Sequence, residues 1–185
     1  MANKDAAFGL KAIGKVGQNR DAQGLSEYSI AASSSAIYHG DPVMLDSDGE
    51  LVVGTVGSAL LGSLNGVFYT DASTNKPTWA NYLAGSNAAT DIVGFVSDDP
   101  YERFEIQSAG TVAQTNIGNC ADMDTYSAGS ASDGVSNVEL SATMAATAAQ
   151  FKIIGISKEV DNAFGANANV VVSINEHFLK QTAGI

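Results

Sequence analysis

Three observations predict a mainly β chain folded as a single barrel or sandwich of short antiparallel strands. Short apolar or alternating runs recur, among them Val43–Leu45, Leu51–Val53, Ile92–Val96, Phe104–Gln107, Phe151–Ile156 and Val170–Ile174. Clusters of Gly, Asn and Asp separate them, and these residues supply turn geometry. The chain is 45% hydrophobic with 19 glycines over 185 residues. That is apolar enough for one core and rich enough in glycine for many tight connections.

The stretch from Asp91 to Gly110, DIVGFVSDDPYERFEIQSAG, organises the rest. Ile92, Val93, Phe95 and Val96 read as a buried strand. Asp98, Asp99 and Pro100 stop it, because Pro fixes its own φ and pushes the preceding residue out of the helical region. Phe104 and Ile106 then alternate with Arg103, Glu105 and Gln107, the period-two pattern of a half-buried strand. The expectation is two strands of one sheet, in the middle of a barrel.

Residues 1–26 differ from the remainder of the chain. They carry Lys4, Lys11, Lys15 and Arg20, four of the 9 basic residues, and Gly9, Gly14, Gly17 and Gly24. Each glycine costs a helix roughly 1 kcal/mol relative to Ala. Phe8, Leu10, Ile13 and Val16 have no core of their own in this segment. An extended arm that orders against a neighbouring subunit is the expectation, a frayed terminus the alternative. The β domain then runs over 27–185.

Glu27–Ile37 opens as a strand and Tyr38–Pro42 is a turn cluster. Val43–Leu45 and Leu51–Val53 form a hairpin about Asp46-Ser47-Asp48-Gly49. That acidic turn resembles the start of a calcium loop, but the twelfth position, Gly57, lacks the carboxylate such a loop needs. Residues 60–70 give a strand pair or one bulged strand at Asn65-Gly66. Residues 71–90 form a long loop holding Trp79 and Tyr82, either capping the barrel or meeting a partner. Residues 111–118 suggest a strand and 119–147 a long low-complexity loop, with a short helical turn as one option over 142–150. Phe151–Ile156 and Val170–Ile174 are the last clear strands, separated by a turn over 161–169.

Charge and chemistry narrow the function. Lys and Arg number 9 against 20 Asp and Glu, a formal charge of -11. Such a surface repels nucleic-acid phosphates and anionic membranes. No leader-like apolar core opens the chain, and no run is long enough to span a bilayer. The single cysteine, Cys120, excludes an internal disulfide. His39 and His177 lie far from it and from each other in sequence, so no zinc spacing or nucleophile pattern emerges. Asp98 and Asp99, being adjacent, would point to opposite faces of a strand and could not pair as acid and base. Glu102, Arg103 and Glu105 suit cross-strand ion pairs. The expectation is a protein without enzymatic activity, cofactor or metal.

MANKDAAFGL at the start, GFVSDDPYERFEIQSAG in the middle and FKIIGISKEVDNAFGANANVVVSINEHFL near the end resemble the capsid decoration, or cement, proteins of tailed bacteriophages of aquatic bacteria. The resemblance is weakest over 71–90 and 119–147. It implies a β-barrel or β-tulip fold with an N-terminal arm. It also implies a virion protein, made in the host cytoplasm, that binds the outer surface of the head and clamps neighbouring major capsid protein subunits. Self-association as a homotrimer, or a dimer, goes with that role. No family motif transfers at residue level. On the residues themselves, Lys4, Phe8, Leu10, Lys11, Ile13, Lys15 and Arg20 are candidates for capsid contact. Trp79, Tyr82, Tyr101 and Phe104 are candidates for the subunit contact. The rivals are a head–tail joining or tail component, and a carbohydrate-binding domain using Trp79, Tyr82 and Tyr101 as a stacking platform.

Overall fold

The computed structural model describes residues 3–16 and 24–181. Its strands in chain order are β1 (Lys11–Lys15), β2 (Ser26–Ser29), β3 (Pro42–Leu45), β4 (Leu51–Val53), β5 (Gly62–Thr70), β6 (Pro77–Ala80) and β7 (Val93–Ser97). There follow β8 (Glu102–Gln107), β9 (Thr111–Val112), β10 (Cys120–Ala121), β11 (Phe151–Ile156), β12 (Gly165–Ala166) and β13 (Asn169–Ile174). Two short 3-10 turns, Gln114–Asn116 and Phe178–Lys180, are the only helical elements among the described residues.

The strands form two larger antiparallel sheets. A five-stranded sheet runs β1-β8-β13-β11-β10, and a six-stranded sheet runs β2-β7-β5-β3-β4 with β6 added to β5. β9 and β12 make a small ribbon. The mainly β expectation holds. Of the two architectures it left open, the barrel does not form among the described residues. Both sheets stay open and the arrangement is sandwich-like.

Each sheet buries one face over its own apolar cluster. Alternation places Phe104 and Ile106 of β8, Val170, Val172 and Ile174 of β13, and Phe151 and Ile153 of β11 in the first. Each such side chain stabilises the fold by roughly 2 kcal/mol through burial. Met123, Val138 and Leu140 from the long 119–147 loop belong to the same cluster. Leu51, Leu61, Leu64, Val67, Val96 and Leu83 build the second.

The central stretch differs from the expectation in one respect. Both of its strands form, yet β7 belongs to the six-stranded sheet and β8 to the five-stranded one. The Asp98-Asp99-Pro100 corner therefore carries the chain between sheets. The two acids have separate partners: Asp98 accepts from Ser26 Oγ (2.9 Å) and Tyr28 Oη (2.6 Å). Asp99 accepts from the Tyr101 N–H (2.8 Å) and pairs with Lys15 Nζ (2.6 Å). The adjacent side chains thus face different elements, although both lie in the corner and not in a strand.

Other local expectations resolve similarly. The hairpin at Asp46 forms, and Asp46 Oδ1 accepts from the Asp48 and Glu50 N–H groups, both at 3.0 Å. Residues 62–70 are one strand with a bulge between Leu64 and Gly66. The 71–90 segment is not all loop, since Pro77–Ala80 pairs with β5. Residues 142–150 form no helix; Ala145 bridges to Cys120 instead. Two threonines and a run of small side chains offer that segment no amphipathic face.

The N-terminal segment is the main correction. It does not stand apart as an arm over 3–16. Leu10 is 1% exposed and lies in the first cluster, and Lys11–Lys15 pairs antiparallel with β8. A core for Leu10 does exist, built largely by β8, β11 and β13, far later in the chain. Nothing within residues 1–26 could reveal it.

Candidate functional site

The first residues lie across the outer face of the five-stranded sheet. Asn3 Nδ2 donates to the carbonyls of Ala163 (2.8 Å) and Ala166 (2.7 Å), and its Oδ1 accepts from the Ala163 N–H (3.0 Å). The Ala6 N–H donates to Gln107 Oε1 (2.8 Å), while Gln107 Nε2 donates to the Lys4 carbonyl (2.9 Å). These bonds explain how Gln107, on the solvent side of β8, is buried. They line a polar cavity of about 260 Å³ with Lys4, Phe8, Lys11, Glu105, Glu159 and Asn162 around it.

Further along, the segment crosses the Tyr38–Asp41 turn. The Leu10 N–H donates to the Gly40 carbonyl at 2.7 Å, and Ser63 Oγ donates to the Leu10 carbonyl at 2.6 Å. Gly9 (φ 71°) and Gly40 (φ 83°) occupy the left-handed region at this crossing. A Cβ on Gly9 would stand 2.4 Å from the Gly40 carbonyl oxygen, so the two backbones meet only because no side chain separates them. Lys11 Nζ then pairs with Glu105 Oε2 at 3.3 Å, and Lys15 reaches Asp99. The Lys15 ammonium holds the Asp99 carboxyl below its ordinary range, with the Tyr101 N–H assisting.

The candidate contact residues therefore divide. Lys4, Lys11 and Ile13 are exposed, and Ile13 is 45% accessible. Phe8 and Lys15 are half-buried. Leu10 belongs to the core and offers nothing to a partner. Arg20 and Gly17 lie outside the described residues.

The second group does not assemble into one surface. Phe104 is 1% exposed beneath β8, because its strand phase points it inward, so it cannot touch another subunit. Tyr82 stacks on Tyr38 with ring centroids 5.4 Å apart and an interplanar angle of 7°, half-buried against the 119–147 loop. Tyr101 is 63% exposed at the corner between the sheets, with Lys180 Nζ 4.9 Å above its ring. Trp79, on β6, is 53% exposed. It packs on Phe95 at 4.8 Å and stands opposite Phe68 across the β5–β6 pair. Phe68 and Phe95 are not legible as its neighbours in the sequence, where β6 reads as loop.

Cys120, His39 and His177 sit on separate elements. Cys120 sits on β10, paired with Lys152. His39 Nδ1 contacts the Asn65 carbonyl at 2.8 Å, and His177 Nδ1 accepts from the Leu179 N–H at 3.1 Å. Among the described residues no cluster of His, Cys, Asp and Glu could hold a metal ion. No helix in them is long and apolar enough to cross a membrane.

Two buried polar residues that carry no sequence signal hold the halves together. Gln150 Nε2 donates to the carbonyls of Thr55 and Ser58, both at 2.8 Å, while its Oε1 accepts from the Met123 N–H at 3.1 Å. Asp41 accepts from the Tyr38 N–H (2.8 Å) and Tyr126 Oη (3.1 Å), and burial pushes its carboxyl above the usual range. A lone Gln or Asp in a turn-rich sequence does not announce such a role.

Comparison with protein-family models, with curated proteins and with solved structures finds no match to this chain.

Proposed function

We propose that the protein decorates the outer surface of a tailed-phage head, stabilising it by clamping neighbouring major capsid protein subunits, with copies associating as a trimer or dimer. One observation carries this reading. The three stretches that resemble phage decoration proteins are far apart in the chain, yet two of them supply three adjacent strands of one sheet, β8, β13 and β11, and the first leads to that sheet's edge. Residues 3–10 lead into β1 and reach Gln107 of β8, the middle stretch contains β8 and most of β7 from the other sheet, and the last contains β11, β13 and the short β12. A shared surface centred on that sheet would concentrate the likeness on β8, β11 and β13 in this way.

The reading requires no active site. Many modest contacts suffice, since each bound copy stabilises the shell by mass action, and copies held side by side raise one another's effective concentration. The experiment is a thermal and osmotic challenge of purified heads with and without the protein, counting intact shells and bound copies. Protection at near-stoichiometric occupancy supports it. Neither binding nor protection removes it.

A second reading, carbohydrate binding, draws on Trp79, Phe68 and Phe95, a cluster with one exposed indole face. Tyr82 and Tyr101 take no part in that cluster, so the platform is smaller than the three-aromatic one. Titrating glycans against the fluorescence of Trp79, the chain's one tryptophan, tests it; an unchanged spectrum removes it.

A further inference from the structure

The charge of this chain is unevenly spread. Of 9 basic residues in a chain of formal charge -11, Lys11, Lys15, Arg103, Lys152 and Lys158 all lie on, or at the margin of, the five-stranded sheet's outer face. Strand phase fixes part of this. Phe104 and Ile106 face the core, so Arg103 and Glu105 face away; Val170 and Val172 face it, so Val171 and Ser173 face away; Phe151 and Ile153 face it, so Lys152 faces away. Register then sets Lys152 opposite Ser173, Ser173 opposite Arg103 and Arg103 opposite Gly14, a row straight across four strands.

Beside that row is a groove of about 360 Å³ lined by Ile13, Lys15, Arg103, Ile156, Lys158 and Val171. Among the described residues the ion pairs are Lys11–Glu105 and Lys15–Asp99. Arg103, Lys152 and Lys158 have no carboxylate within ion-pair distance there. Ile13 and Ile154 add exposed apolar area on the same side.

We infer that this face is the docking surface for an acidic protein surface. The inference rests on the decoration reading, in which that surface is the outside of the capsid shell. Charge complementarity selects the occupant. Three cations without a carboxylate partner among the described residues of an acidic chain create a local positive potential that steers and orients an anionic surface. The apolar groove supplies a contact that excludes water around them. Phosphate backbones are a poorer fit: the remainder of the molecule repels them, and affinity for them grows with the number of cations engaged. The same geometry shifts shell contact away from a free arm. Residues 11–15 take part as an edge strand of a folded face.

The test uses the full chain and purified heads stripped of the protein. Lys152 and Lys158 are exposed, so Lys152→Glu/Lys158→Glu leaves the melting transition in place. Head binding by that double variant weakens by about tenfold or more, with Lys152→Gln/Lys158→Gln between it and the wild type. Wild-type binding weakens as salt rises from about 0.05 to about 0.3 M. Lys76→Glu, in the turn before β6 on the other sheet, changes binding less than about twofold. Wild-type binding with an unaffected double variant overturns the assignment of this face and leaves the decoration reading standing. So does an equal loss from Lys76→Glu, which would mean that net charge alone matters. A double variant that binds heads normally but no longer self-associates also overturns it, making the face a contact between copies. Wild-type protein that does not bind heads removes both the reading and the assignment.

Discussion

The backbone N–H of Leu10 donates to the carbonyl of Gly40 across 2.7 Å, and this bond fastens the start of the chain to a turn thirty residues later. The crossing lets Leu10 enter a cluster built largely by β8, β11, β13 and the 119–147 loop. Its consequence is that residues 3–16 belong to the stability of the domain as well as to its surface.

Leu10→Ala is expected to destabilise the fold by about 2–5 kcal/mol, since it removes a buried side chain and leaves a cavity. Gly9→Ala strains a φ of 71° and drives a methyl group into the Gly40 carbonyl. Its cost is expected in the same direction. Urea or thermal melts of the purified variants measure both. A wild-type transition in Leu10→Ala would mean that the segment docks only weakly. For the same reason, deleting residues 1–26 would not isolate a binding arm, because the domain itself would weaken.

Trp79 and Phe104 separate a surface role from a core role. Phe104→Ala is expected to cost about 3–5 kcal/mol. Trp79→Ala should cost about 1 kcal/mol or less, the scale of its tilted contact with Phe95. Trp79 fluorescence should be readily quenched by acrylamide in the free protein. If copies meet through this indole, quenching falls as protein concentration rises, and Trp79→Ala shifts sedimentation toward the smaller species.

Gln150 is a clean test of how the two halves are joined. Gln150→Leu keeps the volume but removes the partner of the buried Met123 N–H and of the half-buried Ser58 carbonyl, while the Thr55 carbonyl still accepts from the Ser58 N–H. The expected loss is about 1–3 kcal/mol, because an unpaired buried polar group costs more than a paired one contributes. Hydrogen exchange should show faster opening of the Met123 amide. A variant as stable as the wild type would show that water replaces the side chain there.

Strand existence is legible in the sequence where apolar alternation is strong, as in β8, β11 and β13, and where turn chemistry is unambiguous, as at Asp46–Gly49. Sheet membership is not. The Asp98-Asp99-Pro100 corner reads alike whether the chain turns back within one sheet or passes to another, since Pro restricts only local dihedrals. β6 escapes detection because four residues with a Pro at the front show little period-two signal. The cationic face is invisible for a different reason. Arg103, Lys152 and Lys158 are scattered over more than fifty positions; strand register aligns the first two, and the chain leaving β11 brings Lys158 to the same groove.

His177 gives the fold a pH dependence of defined sign. It is buried at the junction where the Leu60 N–H donates to the Glu176 carbonyl and the Phe178 N–H to the Leu60 carbonyl. Burial, with Lys180 nearby, lowers its pKa to about 4, against the opposing pull of Asp98 and Asp99. The unfolded chain, with an ordinary imidazole near 6.5, therefore binds more protons than the native state between those values, and stability falls as pH drops through that window. Asp41 and Glu102, both raised by burial, act in the opposite direction at the acid end and blunt the loss. The melting temperature should decline from pH 7 to about pH 4.5. In His177→Asn, whose side-chain oxygen can still accept from the Leu179 N–H, the decline should be much shallower. A variant that tracks the wild type through this range would show that another group sets the acid response.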